Sequence, residues 1–417
     1  MKRILSTVAM ATVLAAGAAQ ANEGATPRGV GDLDHVWVIM MENHGYSQII
    51  GNPYAPFTNA EAAHANLATS YFAVGHPSLT NYLETVGGSN FGVRDDNSPD
   101  WHNKACKPNI ATGAVSLEST STAICPIWGS GTDAETPALD TTNETSGPPP
   151  VIDVDGKVGY AAAPTVGKTI ADQLDARGMS WKSYEESLPM GGADGVNNAD
   201  GVFSNLSTFT ADEQAQGATN ANVVSLYAVK HNPFAYFRSI QESSEQMEKL
   251  VAFDGIGGLY GDLQSGKVPN FSFIAPNQCN DQHGRGNAGP FCNFDPNDNG
   301  TQVGLNPALI AQGDVAVEKL VTAIKASPAW HDGNNAIVIT WDEDDYSVSP
   351  TTNKVVTIVD TNHGPHGKTS KTFYTHFSLL KTLEAGFGLP CLNHACDASA
   401  KVMSDLFGDG DNDRDDN

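Results

Sequence analysis

The segment His35-Val36-Trp37-Val38-Ile39-Met40-Met41 is apolar from its second residue onward and stops abruptly at Glu42-Asn43. Far along the chain the pattern returns: Ala336-Ile337-Val338-Ile339-Thr340-Trp341 stops at Asp342-Glu343. Short continuous apolar runs, as opposed to alternating ones, mark strands buried on both faces of a parallel sheet. In open sheets of this kind ligands gather beyond the carboxyl ends of the strands. The two runs therefore predict that three carboxylates and one carboxamide meet in one crevice. Such a hard, oxygen-rich set suits one divalent metal ion. Polar residues also open loops at most strand ends, so either pair taken alone is equally compatible with a plain loop start.

Working outward, further strands are expected at Ser180–Tyr184, Asn270–Ile274 and Val355–Val359, and helices at Val166–Arg177, Asp314–Ala326 and Phe377–Phe387. No internal repeat is present. Alternation of strands and helices predicts an α/β fold, a three-layer αβα sandwich around a mostly parallel sheet. The stretch 90–156 is rich in Gly, Pro, Ser, Thr and Asp and reads as a long insertion walling the site. Residues 22–405 are expected to form the domain, and 406–417 an acidic, solvated tail.

Residues 1–21 resemble a secretory signal. Lys2 and Arg3 open it, Ile4 to Ala18 is mostly apolar, and Ala19-Gln20-Ala21 fits a small-x-small cleavage site. No segment is long and apolar enough to span a bilayer. The expected location is therefore secreted or periplasmic. The formal charge of −25 repels nucleic acid and anionic lipid, which excludes a nucleic-acid partner and disfavours stable membrane association. Six cysteines in an exported chain point to disulfides, the nearest pairs being Cys106/Cys125, Cys279/Cys292 and Cys391/Cys396.

Gly75-His76-Pro77-Ser78-Leu79-Thr80-Asn81-Tyr82-Leu83-Glu84-Thr85-Val86-Gly87-Gly88 reads as a helix starting near Ser78 and stopping at the double glycine. A serine there is either the N-cap or a nucleophile whose alkoxide the helix amides and a metal would stabilise. His283, in the segment that carries Asn277 and Asp281, and His231, in Lys230-His231-Asn232-Pro233, are candidate partners for a phosphoryl group. Spacing does not rank His363, His366 and His376 against them. Lys182, Lys230 and Arg285 are candidates to soften the acidic field.

Together these motifs carry a resemblance. MENHGYSQIIGN, GHPSLTNYLETVGG, KHNPFAYF, NQCNDQHG, VITWDEDD and THFSLLKTLEAGFGLP occur here in the order seen in the bacterial and fungal phosphoesterase family. That family holds secreted acid phosphatases and phosphatidylcholine-type phospholipases C within the alkaline-phosphatase-like superfamily. The resemblance runs from His35 to Leu389. It implies that Glu42, Asp342 and Glu343 bind metal and that Asn43 faces both metal and phosphate. It further implies that Ser78 is both nucleophile and metal ligand, and that His283 and His231 lie near the phosphoryl group. Two positions depart from the pattern. Thr80 stands where relatives commonly have Pro, and His44-Gly45-Tyr46 replaces the Ser-Phe-Asp of the phospholipase branch, which favours the shorter, phosphatase-like branch. The resulting expectation is a metal-dependent acid phosphatase acting on small phosphorylated substrates through a phosphoserine. Its rivals are a phospholipase C-type phosphodiesterase and a binding protein that keeps the fold without catalysis.

Overall fold

A computed structural model describes residues 23–93, 95–99, 124–127, 130–132, 164–188, 202–203, 223–224, 226–284, 292, 307–344 and 353–408 of the chain. The expected secretory segment, most of the 90–156 insertion, Arg285 and the acidic end lie outside the described residues.

One sheet of eight strands organises the molecule. Its strands are β1 His35–Met41, β2 Asn66–Ala68, β3 Trp181–Glu185, β4 Leu250–Ala252, β5 Phe271–Ala275, β6 Asn335–Trp341, β7 Thr357–Thr361 and β8 Thr369–Ser370. They run in the order β8-β2-β7-β6-β1-β5-β3-β4. The two segments read first from sequence are neighbours at its centre: β1 and β6 pair in parallel from His35↔Asn335 to Met41↔Trp341. On its other side β1 pairs in parallel with β5, and β5 with β3. Every residue of β1 from Val36 to Met41 is buried, as strands covered on both faces require. Burying each such Val, Ile or Met side chain stabilises the fold by about 1.5–3 kcal/mol relative to exposure.

The principal helices are α1 Pro56–His64, α2 Ser78–Gly87, α3 Ile170–Ala176, α4 Leu259–Ser265, α5 Pro307–Ala326 and α6 His376–Gly386. They form two groups. α2 packs on α3 and α6, and α5 packs on α1 and α4. Side chains alternate across the sheet, so the groups cover opposite faces. Phe273 meets Tyr82 of α2 and Phe271 meets Phe387 beyond α6, whereas Trp37, in register with Ser272 between those phenylalanines, meets Trp330 beyond α5. The expected αβα layering is thus observed.

Departures from the sequence reading are local. The strand expected at Val355–Val359 starts at Thr357 and runs antiparallel to β6, so its end points away from the crevice. α5 begins before Asp314, because Leu309, Ile310 and Gly313 continue the buried stripe of Val317, Leu320, Val321 and Ile324. At the C-terminal end, Leu406 and Phe407 are buried, so packed structure extends past residue 405. Cys279–Cys292 and Cys391–Cys396 are paired as expected, and Cys125 is disulfide-bonded, while Cys106 lies outside the described residues. Among the described residues no helix is long and apolar enough to cross a membrane.

α6 carries a buried acid, Glu384. Oε1 accepts the Leu392 backbone N–H at 2.8 Å, while Oε2 is buried without a hydrogen-bond partner among the described residues. Burial raises its pKa well above the ordinary glutamate value of 4.5. The folded state then holds its proton to higher pH than the unfolded chain, so this group withdraws stability as pH rises from 4.5 toward the raised folded value. Glu384→Gln keeps the amide acceptor and removes the titration. Its Tm relative to the parent should therefore climb as pH is raised above 4.5, and a pH-independent difference would refute the assignment.

Candidate active site

The ends of β1 and β6 are joined before any side chain is considered: the Asp342 amide donates to the Met41 carbonyl at 2.9 Å. The Asn43 amide donates to Asp342 Oδ1 at 3.1 Å, and the Glu42 amide donates to the Asp281 carbonyl at 2.9 Å, tying in the loop after β5. Asn43 sits at φ +51°, a left-handed conformation that Asn tolerates better than most residues. Glu42, Asn43, Asp342 and Glu343 are all buried.

Ser78 reaches this cluster from the start of α2. The preceding loop is fixed by Asn81, whose Oδ1 accepts from the amides of Val74 and Gly75 and whose Nδ2 donates to the Gly75 carbonyl. The N-cap is Pro77, not Ser78, and Ser78 caps nothing. Its Oγ lies 3.1 Å from Glu42 Oε2 and 2.9 Å from Glu343 Oε1, so one hydroxyl proton faces two carboxylate acceptors. Of the two sequence readings of Ser78, the N-cap gives way. Thr80 uses both its amide and its hydroxyl on the Pro77 carbonyl, at 3.1 and 2.8 Å.

His231 lies between two of the acids, with Nε2 3.1 Å from Glu42 Oε1 and Nδ1 3.1 Å from Asp281 Oδ2. Its ring stacks on Tyr82 at 5.3 Å between centroids. Burial, then the charges of Lys230 and His283, hold its pKa well below 6.5. His283 is anchored by its amide to Asp281 Oδ1 at 2.7 Å, and its ring centroid is 5.6 Å from that of His231. Lys230 Nζ is 3.1 Å from His283 Nε2 and 2.9 Å from Asp96 Oδ2. Asp96 Oδ1 in turn accepts the Leu79 amide at the start of α2. Lys230 is therefore the candidate cation that reaches the site. Lys182 instead pairs with Asp262 at 2.5 Å on the far side of the sheet's β3.

His76 was not singled out in the sequence. It is buried, with Nδ1 2.7 Å from Glu343 Oε2 and Nε2 3.6 Å from Asp344 Oδ1. Burial alone would lower its pKa, but Glu343 and Asp344 outweigh burial and raise it well above 6.5. His376 lies behind Asp342, its Nε2 2.6 Å from the Asp342 carbonyl and its Nδ1 3.1 Å from the Tyr71 hydroxyl. Burial pushes it down to about 4, so it is a neutral support. His363 and His366 line a different cavity.

The acids crowd one another. Burial raises Glu42, Asp342, Glu343 and Asp281 above the carboxylate range. Glu42 and Asp342 are raised further by neighbouring acids, and Asp281 by Glu42, whereas His76 draws Glu343 partly back. Asn43 is buried with neither side-chain amide atom hydrogen-bonded among the described residues. Stranded amide atoms beside like-charged acids are what a site awaiting a cation presents, and the donor set fits a divalent ion. The ligating atoms of Glu42, His231 and His283 also lie within 4.8 Å of one another, so Glu42 borders two imidazoles on one side and Ser78 on the other.

Fold and site together define an α/β protein with a buried serine amid acids at the strand ends of its sheet. The sequence profile of the Phosphoesterase family matches residues 52–290 and 304–390, and the chain belongs to that family. The match starts after Glu42 and Asn43. An acid phosphatase of Aspergillus fumigatus is 24% identical over 346 residues, 82% of this chain and 52% of that protein. A phosphatidylinositol-3-phosphatase of Mycobacterium tuberculosis is 24% identical over 416 residues, 98% of this chain and 96% of that protein. The chain thus spans about half of the Aspergillus relative and 61% of a probable acid phosphatase of Kluyveromyces lactis. Among solved structures, a protein in the alkaline phosphatase superfamily from Vibrio parahaemolyticus is similar, at 13% identity and a TM-score of 0.44, over 90% of this chain and 72% of that one.

Proposed function

We propose that the chain is a secreted, metal-dependent phosphoesterase that hydrolyses small phosphomonoesters, an acid-phosphatase activity, through a phosphoserine at Ser78. The observation that carries this reading is the contact of Ser78 Oγ with Glu42 and Glu343 at the start of a buried helix. Glu42, Asn43, Asp342 and Glu343, with Ser78 itself, would hold one divalent ion. When bound, it acidifies the hydroxyl and neutralises phosphoryl oxygens.

The remaining chemistry belongs to the chain. Ser78 gives up its proton to an adjacent carboxylate and attacks phosphorus. The Ser78 O–P bond forms, the substrate ester O–P bond breaks, and the alcohol leaves with the proton that Ser78 gave up, returned from the carboxylate. His283, whose Nε2 faces Lys230, orients that ammonium toward the phosphoryl group. Water then attacks the phosphoserine, releasing phosphate and restoring the hydroxyl. Lys230 and the positive end of the α2 dipole offset negative charge on the phosphoryl oxygens, while neutral His231 keeps Glu42 and Asp281 apart.

A phosphomonoester carries more negative charge than a diester and gains more from these groups in the transition state. The Mycobacterium relative is named for removing a phosphate from a lipid headgroup, which is also monoester chemistry. With p-nitrophenol as the common leaving group, kcat/KM for p-nitrophenyl phosphate should exceed that for bis(p-nitrophenyl) phosphate and for p-nitrophenyl phosphorylcholine by at least about tenfold. A higher value for either diester would replace the phosphatase reading with a phospholipase C-type one.

A further inference from the structure

Four of the chain's twelve histidines, His64, His331, His363 and His366, line one cavity of about 460 Å³. It lies at the opposite end of the sheet from Ser78. Thr361 on its wall pairs with Ala336 at the start of β6, whereas the acids around Ser78 follow the end of β6.

Three segments bring the four rings to this place. His64 is the last residue of α1, His331 ends the short helical turn Pro328–His331, and His363 and His366 lie on the loop 362–367 that follows β7. The loop is stitched at both ends. Asn362 Nδ2 donates to the carbonyls of Trp330 and Gly333, each at 2.8 Å, which fixes its start to the turn bearing His331. The Gly367 amide donates to the carbonyls of His64 and Ala65 at 3.1 and 3.0 Å, and Asn66 Nδ2 donates to the Pro365 carbonyl at 2.5 Å, which fixes its end to α1. The backbone that carries His363 and His366 is thus held at both ends, and all four rings are exposed at the cavity.

The tautomer of His64 follows from one contact. Its Nδ1 is 2.7 Å from the Ala60 carbonyl, which only accepts, so Nδ1 carries the proton and Nε2 offers a lone pair. His366 Nδ1 faces Asp360 Oδ1 at 3.7 Å, and the other Asp360 oxygen is held by Lys325 at 2.7 Å. Imidazoles that ligate metals are oriented by such carbonyl and carboxylate contacts at the opposite ring nitrogen. Lys325 is also bonded to Glu61, so two carboxylates face one ammonium and the wall does not repel a cation. A set dominated by imidazole nitrogen selects Zn2+, Ni2+ or Cu2+ over Mg2+ or Ca2+.

We propose that this cavity is a second metal site, for a divalent transition ion, ligated by His64 and His366 with His363 and His331 completing the set, and separate from the centre around Ser78. Zn2+ binding to the full chain, followed by calorimetry and by elemental analysis after desalting, tests this. The parent should retain one more equivalent of Zn2+ than His64→Gln/His366→Gln, and His331→Gln/His363→Gln should bind that equivalent at least about tenfold more weakly. Both double variants should keep kcat/KM for p-nitrophenyl phosphate within about twofold, the spread expected of substitutions remote from the reacting groups. The exposed positions should also leave the metal-free Tm in place, with Zn2+ raising the Tm of the parent more than that of either variant. Equal zinc content and equal Zn2+-induced Tm shifts in parent and both variants would overturn the proposal. So would zinc and phosphatase activity falling together, since the lost ion would then belong to the Ser78 centre.

Discussion

Ser78→Ala is expected to lower kcat/KM for p-nitrophenyl phosphate by on the order of 10³-fold or more, equivalent to about 4 kcal/mol of transition-state stabilisation. The effect should fall on kcat, because in the proposed route the hydroxyl acts in bond making and the carboxylates that border it stay in place. The hydroxyl makes no capping bond, so its removal costs the helix nothing that an alanine cannot supply. The variant should therefore keep the parent Tm to within a few degrees, and the removal of a proton shared between two acids leaves metal affinity as the only other readout to watch. Parent-like turnover in a folded Ser78→Ala protein would eliminate the phosphoserine route. Rapid-quench labelling of the parent at Ser78 by a 32P-phosphomonoester, absent in the variant, provides the positive counterpart.

The second large effect is expected from the ion. Dialysis against a chelator should reduce activity by at least on the order of 10²-fold, with recovery on adding back a divalent cation. Glu42→Gln should not recover, since Glu42 borders both Ser78 and His231. The metal-free protein should also show a definite pH signature. Glu42, Asp281, Asp342 and Glu343 have raised folded pKa values, and so has His76. Each binds a proton more tightly when folded, so each withdraws stability as pH rises toward its folded value. His231 and His376 are lowered and act in the opposite sense, but only below the unfolded histidine value of 6.5. Above pH 6.5 these two histidines no longer oppose the trend, and His76, raised above that value, carries it, so the Tm of the chelated protein should fall with rising pH. Adding the divalent ion should flatten that slope, because the carboxylates are then stabilised in the charged form. An ion-independent Tm profile together with chelator-resistant activity would argue that these acids hold no metal.

Much of this arrangement is legible in the sequence. The unbroken apolar runs at Val36–Met41 and Ala336–Trp341 leave little choice but strands covered on both faces, and their polar ends named four residues of the cluster. What was illegible has physical reasons. β2 and β4 are three residues each, too short to show any period. Nothing in Val355-Val356 signals that Val355 bridges Gly45 while the ladder with β6 begins at Thr357 and runs in reverse, because strand direction is set by the connection and not by composition. His76 precedes a proline in a loop without periodicity, and only the folded chain brings it to Glu343 and Asp344. Asp96 falls inside a segment that reads as featureless insertion, yet it ties Lys230 to the start of α2. His376 looked equivalent to His231 in sequence, and their difference is one of position: one ring lies among the acids, the other behind a backbone carbonyl.

The proximity of Met41 and Asp342, joined by a backbone hydrogen bond, has a consequence for how activity is acquired. The acids come from two strands whose partners are far apart in the chain, and closing that loop is an entropic cost met only when the central strands zip together. Assembly of the acid cluster is therefore tied to completion of the sheet's centre and not to any local segment. Recovery of turnover after dilution from denaturant becomes a clock for β1–β6 pairing, to be read beside the fluorescence of Trp37 and Trp341, which lie on those two strands.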